Sequence, residues 1–336
     1  MAAKTKTKYI IGVDLGGTKI SAGALSEDGK SAHGIRSIST QAELGAEGVV
    51  ERIIGLIEGV ILDTINETGG SATRKDFIGI GAGAPGPLDR EKGIVVVAPN
   101  LGWRNFPLSD RISKRFGIPV VLDNDANCAT VGEWWLGAAR GGRNVVGVTI
   151  GTGIGGGLIF DGKLYHGASD VAGEIGHTTI DVNGRYCKCG NYGCLEAYAS
   201  GPAIATRARE ALIREDTASM LPAMVDGQLD RITAEIVYDA AKKGDGLANE
   251  IVRDTARYLG AGIATLLNVI NPDVVVIAGG VTRAGEALFG PLRTEVRRRA
   301  FSPAVEAVRI VPAELPGTAG VVGAVAAFKM DRTGKL

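Results

Sequence analysis

The sequence predicts an α/β protein built from two related lobes. The chain has 336 residues, enough for two domains of ordinary size. Apolar runs of strand length alternate with segments of helical periodicity, which is typical of parallel or mixed sheets covered on both faces. A strand, a glycine-rich turn and a second strand occur near residue 15 and again near residue 151. This repeated hairpin indicates that the two lobes are half-related.

The first half of the chain provides four predicted strands and one helix. Valines and isoleucines recur at helical spacing through 46–66, which predicts a helix with one apolar face. The predicted strands lie at 9–14, 20–25, 77–85 and 118–127. The first two are joined by the turn from Leu15 to Lys19, and the last ends in a polar cluster.

The second half repeats the alternation and adds helices. The predicted strands lie at 145–150, 157–160 and 273–280, and the predicted helices at 126–139, 233–243, 247–270 and 318–330, with another after the last strand. Residues 214–230 form a weak connection of mixed polarity. We expect a first lobe from residues 1–122 together with about 318–336, and a second lobe from 123–317.

Three cysteines and one histidine cluster in a short stretch that is typical of a structural zinc site. His177, Cys187, Cys189 and Cys194 fall within 18 positions, and Cys₃His is a standard tetrahedral set for Zn²⁺. The same residues could instead be buried small side chains, a disulfide with one cysteine left over, and an interior histidine. Clustering of three of only four cysteines favours zinc. Cys128, the fourth, is expected to be a buried apolar residue rather than a nucleophile.

Two carboxylates flank this cluster. Glu174 precedes the histidine by three residues, and Glu196 follows the last cysteine by two. A closed metal site that fixes two carboxylates indicates scaffolding for a pocket that binds a polar ligand.

Composition argues against several classes of partner. Lysine plus arginine balances aspartate plus glutamate at 37 each, and no basic run is present, so nucleic-acid and membrane-surface binding lack their electrostatic signature. The N-terminal segment is polar without an apolar signal core, and no apolar run reaches membrane-spanning length. We expect a reducing cytoplasm, where clustered cysteines favour metal over disulfide.

The glycine-rich turns indicate phosphate binding. Backbone N–H groups in such turns can approach phosphate oxygens without interference from a Cβ atom. The candidates are the turns at 14–19, 151–157 and 279–280. The pattern G-x-G-x-x-G occurs at 81–86 and 151–156, but neither precedes a helix-like pattern, which disfavours dinucleotide binding by an oxidoreductase. Two similar turns, one beginning with Asp14, suggest two lobes that grip a polyphosphate and its Mg²⁺.

A series of motifs resembles the ROK family of bacterial and archaeal sugar kinases and related repressors. The motifs, in family order, are DLGGTK, GAPGPLD, NLGW, DNDAN, TIGTGIGGG, EIGH, CKCGNYGCLE and IAGG. The resemblance extends from about residue 9 to about residue 328, and within the family it looks most like the bacterial glucokinases. It implies a two-lobed, actin-like (ribonuclease H-like) fold that binds ATP–Mg²⁺ in its cleft and phosphorylates a hexose hydroxyl. Family repressors carry an N-terminal helix-turn-helix domain, for which the start of DLGGTK at Asp14 leaves no expected room.

The resemblance also implies roles for individual residues. Asp125 matches the catalytic base, and this role is favoured over that of a helix N-cap, which Asp125, Asn124 or Asp123 could fill at this strand-to-helix junction. Asp14 is expected to bind Mg²⁺ through water. Residues expected to contact the sugar are Gly83, Asn100, Asn124, Asp125, Glu174, His177 and Glu196. Residues expected to contact the nucleotide are Gly16, Gly17, Thr18, Lys19, Thr152 and Gly153 at the phosphates and Gly279 and Gly280 at the adenosine; Lys19 could instead be an ordinary surface lysine.

Together these features predict a cytoplasmic, ATP-dependent hexokinase with glucose as its first substrate, assembled as a homodimer or homotetramer. Alternatives within the class are kinases for mannose, fructose, allose or N-acetylated hexosamines, or an enzyme that uses polyphosphate. The alternative from a different class is a regulator that binds a sugar without chemistry. An intact Asp125 and two phosphate turns argue against that regulator.

Overall fold

The fold was analysed in a computed structural model that describes residues 6–214 and 218–336. Its strands are β1 (Tyr9–Leu15), β2 (Lys19–Ser26), β3 (Ala32–Ser39), β4 (Phe77–Ala84), β5 (Leu88–Asp89), β6 (Ile94–Ala98), β7 (Trp103–Phe106), β8 (Val120–Asn124), β9 (Val145–Ile150), β10 (Ile154–Phe160), β11 (Lys163–Leu164), β12 (Val274–Gly279) and β13 (Arg309–Pro312). Its helices are α1 (Gly45–Glu67), α2 (Leu108–Phe116), α3 (Asp125–Leu136), α4 (Glu196–Ala199), α5 (Gly201–Arg214), α6 (Leu221–Met224), α7 (Ala234–Lys242), α8 (Gly246–Ile270), α9 (Glu286–Arg299), α10 (Ser302–Ala307) and α11 (Ala319–Thr333). Among these residues, no helix is both long and apolar enough to cross a membrane.

Two five-stranded sheets share one topology, as the repeated hairpin predicts. The first has the order β3-β2-β1-β4-β8, and the second has β11-β10-β9-β12-β13. In each, a central strand pairs antiparallel with the strand that follows it and parallel with a later one: β1 with β2 and β4, β9 with β10 and β12. The turns that open the two hairpins therefore occupy equivalent positions in the two sheets.

The second hairpin has a tighter turn than predicted. Strand β10 begins at Ile154, which pairs with Ile150, whereas the sequence suggested a start at residue 157. Gly155 and Gly156, which looked like a loop, lie in this strand, where neighbouring elements leave no room for a side chain: a Cβ at Gly155 would lie 2.8 Å from Ala126 Cβ of α3, and one at Gly156 would lie 2.3 Å from Ile175 Cδ1. A Cβ at Gly157 would lie 2.4 Å from Thr130 Oγ1.

Several elements were not predicted. These are the short and edge strands β3, β5, β6, β7, β11 and β13 and the helices α2, α4, α5, α6 and α10. The weak connection predicted at 214–230 includes residues 215–217, which lie outside the described part of the chain; of the rest, Leu221–Met224 form one helical turn.

Helices α3 and α11 lie between the two sheets. Helix α11 packs on β1 and β4 as well as on α3, and glycines allow backbone to meet backbone. A Cβ at Gly81 would lie 1.8 Å from the carbonyl oxygen of Ala324, and one at Gly323 would lie 1.5 Å from that of Cys128. Cys128 is fully buried, consistent with the packing role predicted for it. The division into lobes at residue 122 stays a prediction; β8, which ends at Asn124, pairs within the first sheet.

Candidate active site

A cleft of about 800 Å³ lies between the two sheets and is lined by most of the predicted site residues. The hairpin turns and the strand ends of both sheets form its walls. The predicted residues that line it are Gly16, Gly17, Thr18, Asn100, Asn124, Asp125, Thr152, Gly153, Glu174, His177, Glu196 and Gly279. One enclosure therefore contains the residues assigned separately to sugar and to phosphate.

Four of the residues predicted to contact the sugar, the nucleotide or Mg²⁺ lie outside the lining of this cleft. Gly280 lines a neighbouring cavity, and Lys19 is exposed at the start of β2. Gly83 lies in β4 beneath Asp125: a Cβ there would lie 3.5 Å from the Asp125 Cα and 3.1 Å from Cys128 Sγ. Its position shows close packing behind Asp125, and the predicted sugar contact stays a prediction. Asp14 pairs with Gly83 across the sheet at the end of β1.

Asp125 is the first residue of α3, and its neighbour caps the helix. Asn124 Oδ1 accepts the backbone N–H groups of Ala126 at 2.9 Å and Asn127 at 3.2 Å. The N-cap role that Asp125 could have had therefore belongs to Asn124. Burial raises the pKa of Asp125, the N–H of Ala126 opposes this, and the negative charge of Glu174 raises it further. A raised pKa makes a carboxylate a better proton acceptor.

Asp14 is a second carboxylate near the same point. Burial, followed by the charge of Asp125, raises the pKa of Asp14 to about 6, with Lys19 acting in the opposite direction. The charge of Asp125 acts on Asp14, so the two carboxylates make a region of negative potential, which suits a divalent cation with oxygen ligands.

The four predicted metal ligands converge. Their ligand atoms all lie within 4.8 Å of one another, with 3.8 Å between Cys187 Sγ and His177 Nδ1 and 3.7 Å between the sulfurs of Cys189 and Cys194. Zn–S bonds of about 2.3 Å in tetrahedral geometry require S–S separations of nearly 4 Å, so the residues fit a zinc ion. The two sulfurs are too far apart for a disulfide.

The metal cluster adjoins the cleft through two of its neighbours. His177 Nδ1 faces the sulfurs while its Nε2 lies 3.9 Å from Glu174 Oε2, so opposite edges of the ring face metal ligands and cleft. Glu196 Oε1 lies 3.9 Å from Cys187 Sγ, and its Oε2 accepts the N–H of Ile154 at 2.8 Å. Glu196 thus connects the cluster to the second glycine turn.

A second cavity of about 680 Å³ continues from the cleft. It shares Thr18, Ile150, Gly151 and Thr152 with the cleft and extends between α5, α7 and the turn after β12. Its far wall is formed by Ala205, Arg209, Ile232, Thr233, Tyr238 and Val281. Because this space lies next to the glycine turns, it is a candidate place for the base and ribose of a nucleotide whose phosphates those turns would bind. Thr18, Thr152 and Gly280 of this cavity were predicted from motifs, whereas its far wall was not, because those side chains come from segments without a motif.

Comparison with known proteins decides the family. The family model described as the ROK family matches residues 10–331. The chain belongs to the ROK family. It is 40% identical over 321 residues to a glucokinase of Thermotoga maritima, covering 95% of this chain and 97% of that protein. It is also 33% identical over 281 residues to a xylose repressor of Caldicellulosiruptor bescii, covering 84% of this chain and 69% of the repressor.

A solved relative confirms the fold class. The crystal structure of a ROK family glucokinase from Streptomyces griseus, in complex with glucose and AMPPNP, has a TM-score of 0.80 and 38% identity. The match covers 95% of this chain and 98% of that one. The predicted two-lobed, actin-like sugar kinase fold is therefore confirmed, and this ROK protein is a sugar kinase by its relatives as well as by its sequence.

Proposed function

We infer that this ROK protein is an ATP-dependent glucokinase that transfers the terminal phosphoryl group of ATP to a hydroxyl of glucose, giving glucose 6-phosphate. The observation that carries this inference is the single cleft in which Asp125, the sugar-side carboxylates and both glycine turns meet. Near-complete coverage of glucokinases at 36–40% identity supports it.

Asp125 supplies the general base. The attacking hydroxyl gives its proton to the Asp125 carboxylate as its oxygen bonds to phosphorus, and ADP leaves with the bridging oxygen. The residue at the start of α3 is held by the helix that Asn124 caps, so the carboxylate is positioned before the sugar arrives. The other hydroxyls of the sugar form hydrogen bonds with side chains of the cleft. The carboxylates accept these bonds, and the imidazole and amide groups can donate; the residues are Glu174, Glu196, His177, Asn100 and Asn124.

The glycine turns hold the donor. Backbone N–H groups at Gly17, Thr18, Thr152 and Gly153 contact the phosphates, and Gly279 and Gly280 border the adenosine. Gly16 lies beside the phosphates, and its own N–H donates to the carbonyl oxygen of Lys19 at 2.9 Å, which closes the turn. Asp14 would hold Mg²⁺ through water, and the bound ion would supply positive charge beside the phosphates. Zn²⁺ at the Cys₃His cluster is structural, because four protein ligands leave no open position.

The alternatives differ in what they leave unexplained. A sugar-binding regulator, the function named for the repressor relative, has no use for a general base beside two phosphate turns. Kinases for other hexoses, and use of polyphosphate, differ from this proposal in specificity only. A cytoplasmic location and assembly as a homodimer or homotetramer stay predictions.

A coupled ADP-release assay over a panel of hexoses tests the proposal. We expect glucose with ATP and Mg²⁺ to give the highest kcat/KM, with mannose, fructose, allose and N-acetylglucosamine lower. Polyphosphate should replace ATP poorly, because the second cavity has space for a nucleoside. If folded, zinc-loaded protein releases no ADP in response to any of these hexoses, the proposed function is wrong.

We expect the Asp14 carboxylate to lower the stability of the metal-free protein and to be required for Mg²⁺-dependent turnover. Its folded pKa of about 6 lies above the ordinary value, so ionisation of Asp14 destabilises the metal-free fold as pH rises through 6. Asp14→Asn should therefore raise the Tm of metal-free protein at pH 7.5, with the gain disappearing as pH falls to about 4. The same variant should lose most Mg²⁺-dependent turnover with little change in glucose affinity. Full turnover at ordinary Mg²⁺ would exclude the assigned role.

A further inference from the structure

A buried carboxylate behind the active site joins parts of the molecule that the proposed mechanism does not connect. Asp123 is 1% exposed at the end of β8, two residues before Asp125. Its Oδ1 accepts the backbone N–H of Asn124 at 2.8 Å and the side-chain amide of Asn127 at 3.0 Å. These bonds attach it to the turn that opens α3.

The other oxygen of Asp123 faces two side chains from opposite walls of the cleft. His166 Nε2 lies 2.9 Å from Oδ2, and Arg90 Nε lies 3.2 Å from the same oxygen. An ionised carboxylate only accepts hydrogen bonds, so His166 donates its Nε2 proton. Burial raises the pKa of Asp123, but the hydrogen bond from His166 and the charge of Arg90 outweigh it, so the pKa lies below its usual range. Asp123 is therefore a charged anchor at neutral pH.

His166 begins the loop that carries the sugar-side carboxylate of the second lobe. The N–H of Ala172 donates to the carbonyl oxygen of His166 at 3.1 Å, which closes residues 166–172 into a compact loop. Asp170, Ala172, Gly173 and Glu174 all line the cleft. Gly173 has a φ of +91° and packs against the carbonyl of Gly156, which directs the chain into Glu174.

Arg90 belongs to the opposite wall. It follows β5, in the small sheet that connects Pro85–Pro87 to Ala98–Asn100, and both of those segments line the cleft. Arg90 Nη1 also lies 3.7 Å from Asp170 Oδ1, so the Arg90 side chain reaches the loop that His166 begins. The Asp123 carboxylate and the Arg90 guanidinium thus connect both walls of the cleft to the end of β8, next to Asp125.

We propose that Asp123 is a positioning residue for the hexose: through His166 and Arg90 it holds the two loops that wall the cleft in register with Asp125. This role rests on the proposed function and adds residues to it. An ion-pair cluster of this kind adds little stability compared with apolar side chains of similar size, so stability alone does not explain its place beside Asp125.

The decisive experiment compares His166→Phe with His166→Gln. Phenylalanine keeps the ring shape but has no donor, whereas the glutamine amide can still donate to Asp123. We expect His166→Phe to raise the KM and the calorimetric Kd for glucose by on the order of 10-fold, because small misplacement of positioning groups is costly. The KM for ATP should stay at the wild-type value, kcat should change much less than KM, and His166→Gln should recover most of the glucose affinity.

A second arm and a control separate positioning from general stability. Arg90→Met should raise the glucose KM in the same direction, and its effect should not add fully to that of His166→Phe, since both act through one carboxylate. His33→Phe is the control, because His33 Nδ1 also faces a carboxylate, Glu67 Oε2 at 3.0 Å, but away from the cleft. It should leave the glucose KM unchanged.

Two outcomes would overturn the positioning role. One is folded His166→Phe and Arg90→Met with wild-type glucose Kd. The other is that His166→Phe lowers the Tm and weakens the affinities for glucose and ATP equally, and that His166→Gln does not restore them. Wild-type turnover of glucose is the reference: its absence would overturn the proposed function, whereas turnover with unaltered KM in the variants would overturn only the role of Asp123.

Discussion

Asp125→Asn is expected to lower kcat by on the order of 10²-fold or more, since a positioned general base contributes roughly 10²–10⁴. Asparagine has nearly the same shape but cannot take up the hydroxyl proton. Because Asn124 caps α3, the helix start should survive the change, and the Tm should not fall. Glucose affinity measured by calorimetry should weaken far less than turnover.

The pH dependence of the wild-type enzyme follows from the same residue. A base must be ionised to act, and burial raises the pKa of Asp125 above the ordinary aspartate value. The acid limb of kcat/KM should therefore lie above the range expected for an exposed aspartate and should be absent from the residual activity of Asp125→Asn.

Asp110→Asn provides the matched control. Asp110 also lies in the first turn of a helix, α2, but it is exposed and pairs with Lys114 at 2.7 Å. That change should leave kcat within the error of the measurement. Near-normal kcat in Asp125→Asn, accompanied by a loss of Tm, would show that Asp125 is a structural residue and that another group takes the proton.

The strands that carry the site could be predicted because their signals are local. Apolar runs that end in glycine turns or in the polar stretch 123–127 marked β1, β4, β8 and β9. The zinc ligands were equally visible, since three cysteines close in sequence are rare in a chain with four. In both cases the residues that act together are also close along the chain.

What the sequence did not reveal depends on contacts between distant segments. Gly155 and Gly156 looked like a loop, because nothing local shows that Gly155 packs against Ala126 of α3 and Gly156 against Ile175. His166 meets Asp123 from 43 positions away, and a lone histidine in a polar stretch carries no motif. Gly83 matched a family motif, yet whether such a glycine faces ligand or helix is decided by the sheet register.

Loss of one zinc ligand should have the second large effect. We expect wild-type protein to contain about one zinc per chain and Cys194→Ser to lose most of it, because the chain's Cys₃His set would keep only three ligands. Cys194 is fully buried, and structural zinc contributes folding free energy directly, so the Tm should fall strongly. Elemental analysis and thermal unfolding measure both effects.

Loss of zinc should raise the KM for glucose but leave the KM for ATP nearly unchanged. Ligation at Nδ1 keeps His177 Nε2 beside Glu174, and Cys187 lies against Glu196. Without the metal both groups lose their support, so the glucose KM should rise on the order of 10-fold. The second cavity, where we propose that the nucleoside of ATP binds, is lined by α5, α7 and the hairpin turns. None of these segments contains a zinc ligand, so the KM for ATP should change little.

Cys128→Ala separates zinc loss from the loss of any buried cysteine. Cys128 is as buried as Cys194 but packs against α11, so its replacement should cost some stability while zinc content and glucose KM stay at wild-type values. If active wild-type protein contains no zinc, or if Cys194→Ser loses zinc yet keeps its glucose KM, the cluster does not support the sugar site. Glu196 would then depend on its bond to the N–H of Ile154 alone, and the second hairpin turn, rather than the metal, would determine where the sugar binds.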